Sequence, residues 1–227
     1  MPTVREGGHE LVRGDCLSRD EFLRRWEAMP DLKRAELIRG VVYMPSPVSW
    51  EHGDTEQNVA GWLAVYKAAT PGCAGANNAT WLMGEDEAPQ PDTSLRILPE
   101  YGGQSRVEGR YAVGAPEFLA EVCISSAAYD LHQKLEVYEG AGVHEYLAAL
   151  MREGEVRWHR LTGSHFEVVP VPADGVYRSA AFPGLWLDAA ALLRGDLARV
   201  LAVLNDGTKS PEHQQFVSQL AARRQSP

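Results

Sequence analysis

Residues 115–146 read APEFLAEVCISSAAYDLHQKLEVYEGAGVHEY, and the fold turns on what surrounds Glu121 in this stretch. Phe118-Leu119-Ala120-Glu121-Val122-Cys123-Ile124 is a short apolar run, the pattern of a buried strand. A carboxylate inside such a run is costly to bury unless something compensates its charge. Downstream, Leu131, Leu135 and Tyr138 recur at helical spacing, which predicts a helix capped by Gly140 or Gly142. Asp130, Lys134 and Tyr138 share one face of that helix, so Lys134 falls within or beside its buried stripe. HEYLAAL then reads as a further strand.

Upstream, QPDTSLRIL (90–98) predicts a strand with Thr93, Leu95 and Ile97 on one face and Asp92, Ser94 and Arg96 on the other. Asp92 is thus a second carboxylate in an apolar strand. The turn-rich excursion 99–114 leaves room for the two strands to be neighbours. Two buried carboxylates side by side repel, and one would take up a proton. A divalent cation removes that penalty, and Mg²⁺ is commonly held by one or two carboxylates plus water and phosphate. Lys134 could then stabilise charge at a phosphate. Other readings stay open at this point. Asp92 could be a turn residue, Glu121 could face solvent, and Lys134 could form a helix ion pair with Asp130 worth only ~0.3–0.5 kcal/mol.

The remaining pattern is helix, strand pair, helix, strands, helix, strands, helix. Ser18 and Glu21 form a capping box before a short helix with Phe22, Leu23 and Trp26 on its apolar face. AELIRGVVYMP predicts a hairpin turning at Arg39-Gly40. Val59, Trp62, Leu63 and Tyr66 predict a helix over about 50–69. GANNATWLMG reads as one strand, EVRWHRLTGSHFEVVPV as further strands, and 187–204 as a helix broken at Arg194-Gly195-Asp196. Residues 1–17 are expected to be weakly ordered, 18–205 to form one domain, and 206–227 to be a loose polar tail. The fold class is α/β, with a mixed β-sheet flanked by helices.

Composition narrows the function. A net charge of −9 argues against a protein that coats nucleic acid non-specifically but allows a local basic groove. Arg96, Arg106, Arg110 and Lys67 are the candidates for phosphate contacts. The 3 cysteines have no ligand or C-x-x-C spacing, which predicts a reducing, cytoplasmic setting without a disulfide framework. The 7 histidines show no zinc-ligand spacing. No apolar run reaches the ~18 residues of a membrane span, and the N-terminus has no signal-peptide core.

Pro91-Asp92, Glu121, Asp130-x-x-x-Lys134-x-x-x-Tyr138 and the following AGVHEY together resemble the Uma-type restriction endonuclease family, a branch of the PD-(D/E)XK nuclease superfamily. ELIRGVVYMPSPVSWEH (36–52) and FPGLWLDAAALL (182–193) agree with that family's pattern. The resemblance covers roughly residues 18–200. It implies a restriction-endonuclease-like core and a metal-dependent endonuclease acting on DNA. Asp92 and Glu121 would bind Mg²⁺ or Mn²⁺, and Glu36 would add to the metal shell. His52 would approach the substrate phosphate. The superfamily lysine usually follows the glutamate by two residues, where this chain has Cys123. Lys134 matches its relocated position, and its charge deletion is expected to leave folding nearly intact. Cutting both strands would suit a homodimer. Two departures, Ser125-Ser126-Ala127-Ala128 without the family's proline and Leu147 where it has tryptophan, keep a second reading in view. That reading is a catalytically inactive module binding DNA or a protein partner.

Overall fold

The structure is a computed structural model that describes residues 10–45, 47–124 and 133–224. Its centre is a six-stranded mixed sheet in the order β11-β10-β9-β8-β5-β3. These strands are β3 (Cys73–Asn77), β5 (Thr93–Ile97), β8 (Phe118–Cys123), β9 (Glu145–Leu150), β10 (Glu155–Thr162) and β11 (His165–Val168). β8 and β9 are parallel and every other pair in this sheet is antiparallel. The parallel step follows from the crossover predicted between the two strands, because a parallel connection needs an intervening element. That element is helix α3 (Leu135–Ala141), which is preceded by a π turn through Gln133 and Lys134. Gly142 caps it with φ of 84°, the left-handed conformation that favours glycine.

All six residues of β8 are buried, so the strand is covered on both faces. One face carries Phe118, Ala120 and Val122 against helix α2 (Trp50–Ala69), which contributes Val59, Trp62, Leu63 and Tyr66. The ring centres of Trp62 and Phe118 lie 5.9 Å apart and those of Phe118 and Trp158 5.4 Å apart, both edge-on. The other face carries Leu119 and Cys123 against Val137, Tyr138 and Tyr146. Glu121 lies between Leu119 and Cys123 in the alternation and therefore faces α3.

Helix α1 (Arg19–Glu27) starts at Ser18, whose hydroxyl accepts from the Glu21 amide. The Glu21 carboxylate does not complete the box, since Arg24 and Arg25 occupy it. The hairpin β1 (Glu36–Ile38) and β2 (Val41–Tyr43) turns through Arg39 and Gly40, both at positive φ, as a two-residue hairpin turn requires.

Three expectations are corrected. GANNATWLMG is not one strand. Asn78 takes a φ of 51°, a bend that Asn tolerates, and the chain leaves the main sheet there. Beyond the bend, β4 (Trp81–Leu82) pairs in parallel with β7 (Tyr111–Val113), which forms a hairpin with β6 (Arg106–Glu108). Residues 10–17 are not loose. Leu11 is buried, and backbone bonds tie Gly14 to Val42 and Leu17 to Gly40. Residues 1–9 lie outside the described set.

The polar C-terminus is mostly helix. After the small hairpin β12 (Val176–Arg178) and β13 (Trp186–Asp188) come α4 (Ala189–Leu193), α5 (Leu197–Thr208) and α6 (Pro211–Arg224). The break between α4 and α5 falls at 194–196, as predicted. In α6, His213, Phe216 and Leu220 sit at helical spacing and are buried, while the polar residues between them face outward. The Ser210 hydroxyl accepts from the His213 amide, and Pro211 fits the first helical position.

Candidate active site

Four elements converge at one end of the central sheet: β1, the N-terminal half of α2, the β5–β8 pair and the start of α3. The register of β5 and β8 pairs Thr93 with Ala120, so one further step sets Asp92 across from Glu121. Asp92 Oδ2 accepts a hydrogen bond from the Val122 amide at 2.8 Å, which fixes its carboxylate beside the backbone of Glu121.

Glu121 Oε1 accepts from Lys134 Nζ at 2.9 Å and from the Tyr138 hydroxyl at 2.7 Å. Lys134 Nζ also lies 3.0 Å from Glu36 Oε1, which in turn accepts from the Gln90 amide at 2.7 Å. Glu36, Glu121 and Lys134 are 7%, 4% and 4% exposed, so this is a buried carboxylate–ammonium–carboxylate bridge. Tyr138 is fully enclosed, and burial together with the Glu121 charge pushes its phenol well above the ordinary range. Tyr138 therefore stays a donor to the glutamate at any working pH.

A second group adjoins the first. His52 Nε2 is 3.5 Å from Asp92 Oδ2 and 3.7 Å from Glu56 Oε2. One ligand atom from each of His52, Glu56 and Asp92 lies within 4.8 Å of the others. The contact with Asp92 holds the imidazole pKa above its ordinary value, Glu56 adds to this, and burial and the Arg34 charge oppose it. His52 Nε2 is nonetheless buried with no hydrogen-bond partner among the described residues, because 3.5 Å and 3.7 Å are too long. An imidazole nitrogen and two carboxylates grouped this closely, with the nitrogen left unsatisfied, fit a divalent cation.

The structure thus brings together all five residues singled out in the sequence. Glu36, Glu121 and Lys134 form one bonded set, and Asp92 and His52 form another with Glu56. Asp130 lies outside the described residues, so its pairing with Lys134 is not described. Glu56 was missed, although His52 and Glu56 stand at i and i+4 on a helix whose span was legible. Arg34, Asn78 and Gln90 carried no sequence signal. Their roles depend on loops that meet only in the folded chain. Cys123 is fully buried two positions from Glu121.

The arrangement suits hydrolysis of a charged ester. It offers carboxylates and an imidazole for a cation, and a lysine bridged between two acids.

Comparison with known proteins gives the class. The family model Uma2, described as "Putative restriction endonuclease", matches residues 19–190. The chain belongs to this family. Among solved structures, it is similar to a "putative nuclease belonging to DUF820" from Anabaena variabilis. That match has a TM-score of 0.56 and 18% identity, and covers 78% of this chain and 99% of the other. The two therefore share a fold, a mixed sheet flanked by helices. The curated proteins contained no match. Among the described residues no helix is long and apolar enough to cross a membrane.

Proposed function

We propose that this protein is a divalent-metal-dependent endonuclease that hydrolyses phosphodiester bonds in DNA. The observation that carries the reading is the buried Glu36–Lys134–Glu121 bridge set directly against the His52–Glu56–Asp92 group. A protein with no use for these charges would be expected to replace them, because apolar residues of similar volume are often as stable or more so.

Asp92 would hold the cation with His52 and Glu56, and Glu121 would reach it from the adjacent strand. A bound divalent cation supplies Lewis-acid chemistry, offsetting charge on the phosphate and making water a stronger nucleophile. Because the donor set includes an imidazole nitrogen, Mn²⁺ suits it better than Mg²⁺, which prefers an all-oxygen shell. Lys134 acts as a fixed positive donor for developing phosphate charge. Its Nζ stands 2.9 Å from Glu121 Oε1 and 3.0 Å from Glu36 Oε1, between the two acids. The Tyr138 hydroxyl donates to Glu121 and so fixes one of the carboxylates that hold Lys134. Arg34 is close enough for its charge to oppose protonation of His52.

The inactive-module reading drew on the lost family tryptophan. Leu147 fills that position as a fully buried core residue against α2, and Ala148 and Leu150 are buried in the opposite face. The departure is therefore one of packing and leaves the polar groups in place. Incubation of supercoiled plasmid with the purified protein in Mg²⁺ or Mn²⁺ tests the reading. We expect nicked and linear products from wild type and none from Asp92→Asn. No cleavage by wild type in either metal would favour the binding module.

A further inference from the structure

A cleft of about 440 Å³ opens beside the site, between the end of α1, the bend at Asn78 and the β6–β7 turn. Its volume is within the range of ligand-binding clefts. Trp26 and Tyr111 provide aromatic walls, and Lys33 and Arg110 provide exposed cations. Arg110 sits at the tip of the β6–β7 turn, its guanidinium carbon 6.0 Å from the centre of the Tyr111 ring. Glu27, the carboxylate in the lining, is engaged by the Tyr111 hydroxyl at 3.3 Å.

The inner end is bonded to the catalytic acids. Asn78 Nδ2 donates to Glu56 Oε1 at 2.7 Å, and the Asn78 amide reaches the Asp92 carbonyl at 3.1 Å. The Gln90 amide donates to Glu36. Gln90 Nε2 is satisfied by Thr80 Oγ1 at 2.8 Å, but its Oε1 is buried with no partner among the described residues. A buried acceptor left unpaired is costly, and a ligand donor would remove that cost.

We propose that this cleft receives an unpaired nucleotide of the substrate strand, next to the phosphate that is cut. The inference rests on the nuclease reading and adds where the strand lies. The base stacks on Tyr111 and Trp26, Lys33 and Arg110 meet flanking phosphates, and Gln90 Oε1 accepts from an amino group on the base edge. Aromatic walls with cations at the rim are the usual equipment for single strands. In a chain of net charge −9, such a strand needs local cations.

The test is fluorescence anisotropy of a short labelled single-stranded DNA with chelator present, so that binding is read without cleavage. Arg110→Ala and Tyr111→Ala alter exposed or half-exposed positions near a turn, and Arg152→Ala removes the same charge from the exposed β9–β10 turn, which does not line the cleft. We expect each cleft variant to weaken binding about tenfold and Arg152→Ala to leave it unchanged. An adenine- or cytosine-rich strand should bind more tightly than a thymine-only strand, and Gln90→Leu should erase that preference. Cleavage of plasmid by wild type, with binding unaffected by the cleft variants, would overturn the cleft and leave the nuclease standing. Cleft-dependent binding without cleavage in Mg²⁺ or Mn²⁺ would support the cleft and overturn the nuclease. Absence of binding by wild type would overturn the cleft.

Discussion

Lys134 Nζ lies 2.9 Å from Glu121 Oε1, with both side chains only 5% exposed. This contact revises the expectation that deleting the lysine charge spares folding. Lys134→Met leaves Glu36 and Glu121 buried without their shared cation. Removing one partner of a buried pair costs about 3–5 kcal/mol. We therefore expect a large drop in unfolding free energy by urea titration at neutral pH, partly restored in the double variant Lys134→Met, Glu36→Gln. DNA cleavage by the folded fraction should fall by roughly 10²-fold or more. Wild-type stability in Lys134→Met would show that the bridge is not formed.

Metal binding separates the two carboxylate groups. Titration calorimetry with Mn²⁺ should show affinity lowered by about tenfold or more in His52→Ala and in Glu56→Gln, a scale typical of damage to a metal shell. His52→Ala should lose more Mn²⁺ than Mg²⁺ affinity, since it removes the nitrogen donor. If Glu121→Gln abolishes binding while His52→Ala and Glu56→Gln bind normally, the ion sits between Asp92 and Glu121 without the α2 residues.

Two histidines make stability pH-dependent in a defined direction. Burial holds the His213 and His159 pKa values below the ordinary 6.5, helped at His159 by the Arg157 charge. In the unfolded chain both take up protons near that ordinary value, before the folded protein does. Their contribution to stability is complete above it and is lost as pH falls through it toward the depressed folded values. We expect these two histidines to lower the urea midpoint between about pH 7 and pH 5, against an opposite contribution from His52, whose pKa is raised. The slope should be shallower in His213→Gln, whose amide can still reach the Thr70 hydroxyl that His213 Nε2 meets at 2.9 Å. An unchanged slope would mean that His213 titrates alike in both states.

The C-terminal helix is expected to be structural. The Phe216 ring centre stands 6.3 Å from that of Phe182, edge-on, and Phe216 is 8% exposed. Phe216→Ala should cost about 3–5 kcal/mol, as for other large-to-small changes in cores. Thermal unfolding of that variant, and of a chain truncated after Ser210, would measure it. Native stability after truncation would return this segment to the role of a tail.

Local chemistry made much of this chain legible from its residues alone. The span of α2, the Arg39-Gly40 turn, the β8 strand and the break at 194–196 follow from period, caps and glycine placement, which act over a few neighbours. Glu121 and Asp92 stood out because a carboxylate in an apolar strand demands a partner. Which partner each found was decided only by the tertiary structure. The order of strands, the bend at Asn78 and the docking of α6 under polar composition depend on contacts far apart in sequence. The same holds for Lys134, which the helix pattern offered to Asp130 and the folded chain holds between Glu36 and Glu121. Burial makes an unpaired charge expensive, so the fold had to bring those acids to the lysine. No local pattern could say which acids they would be.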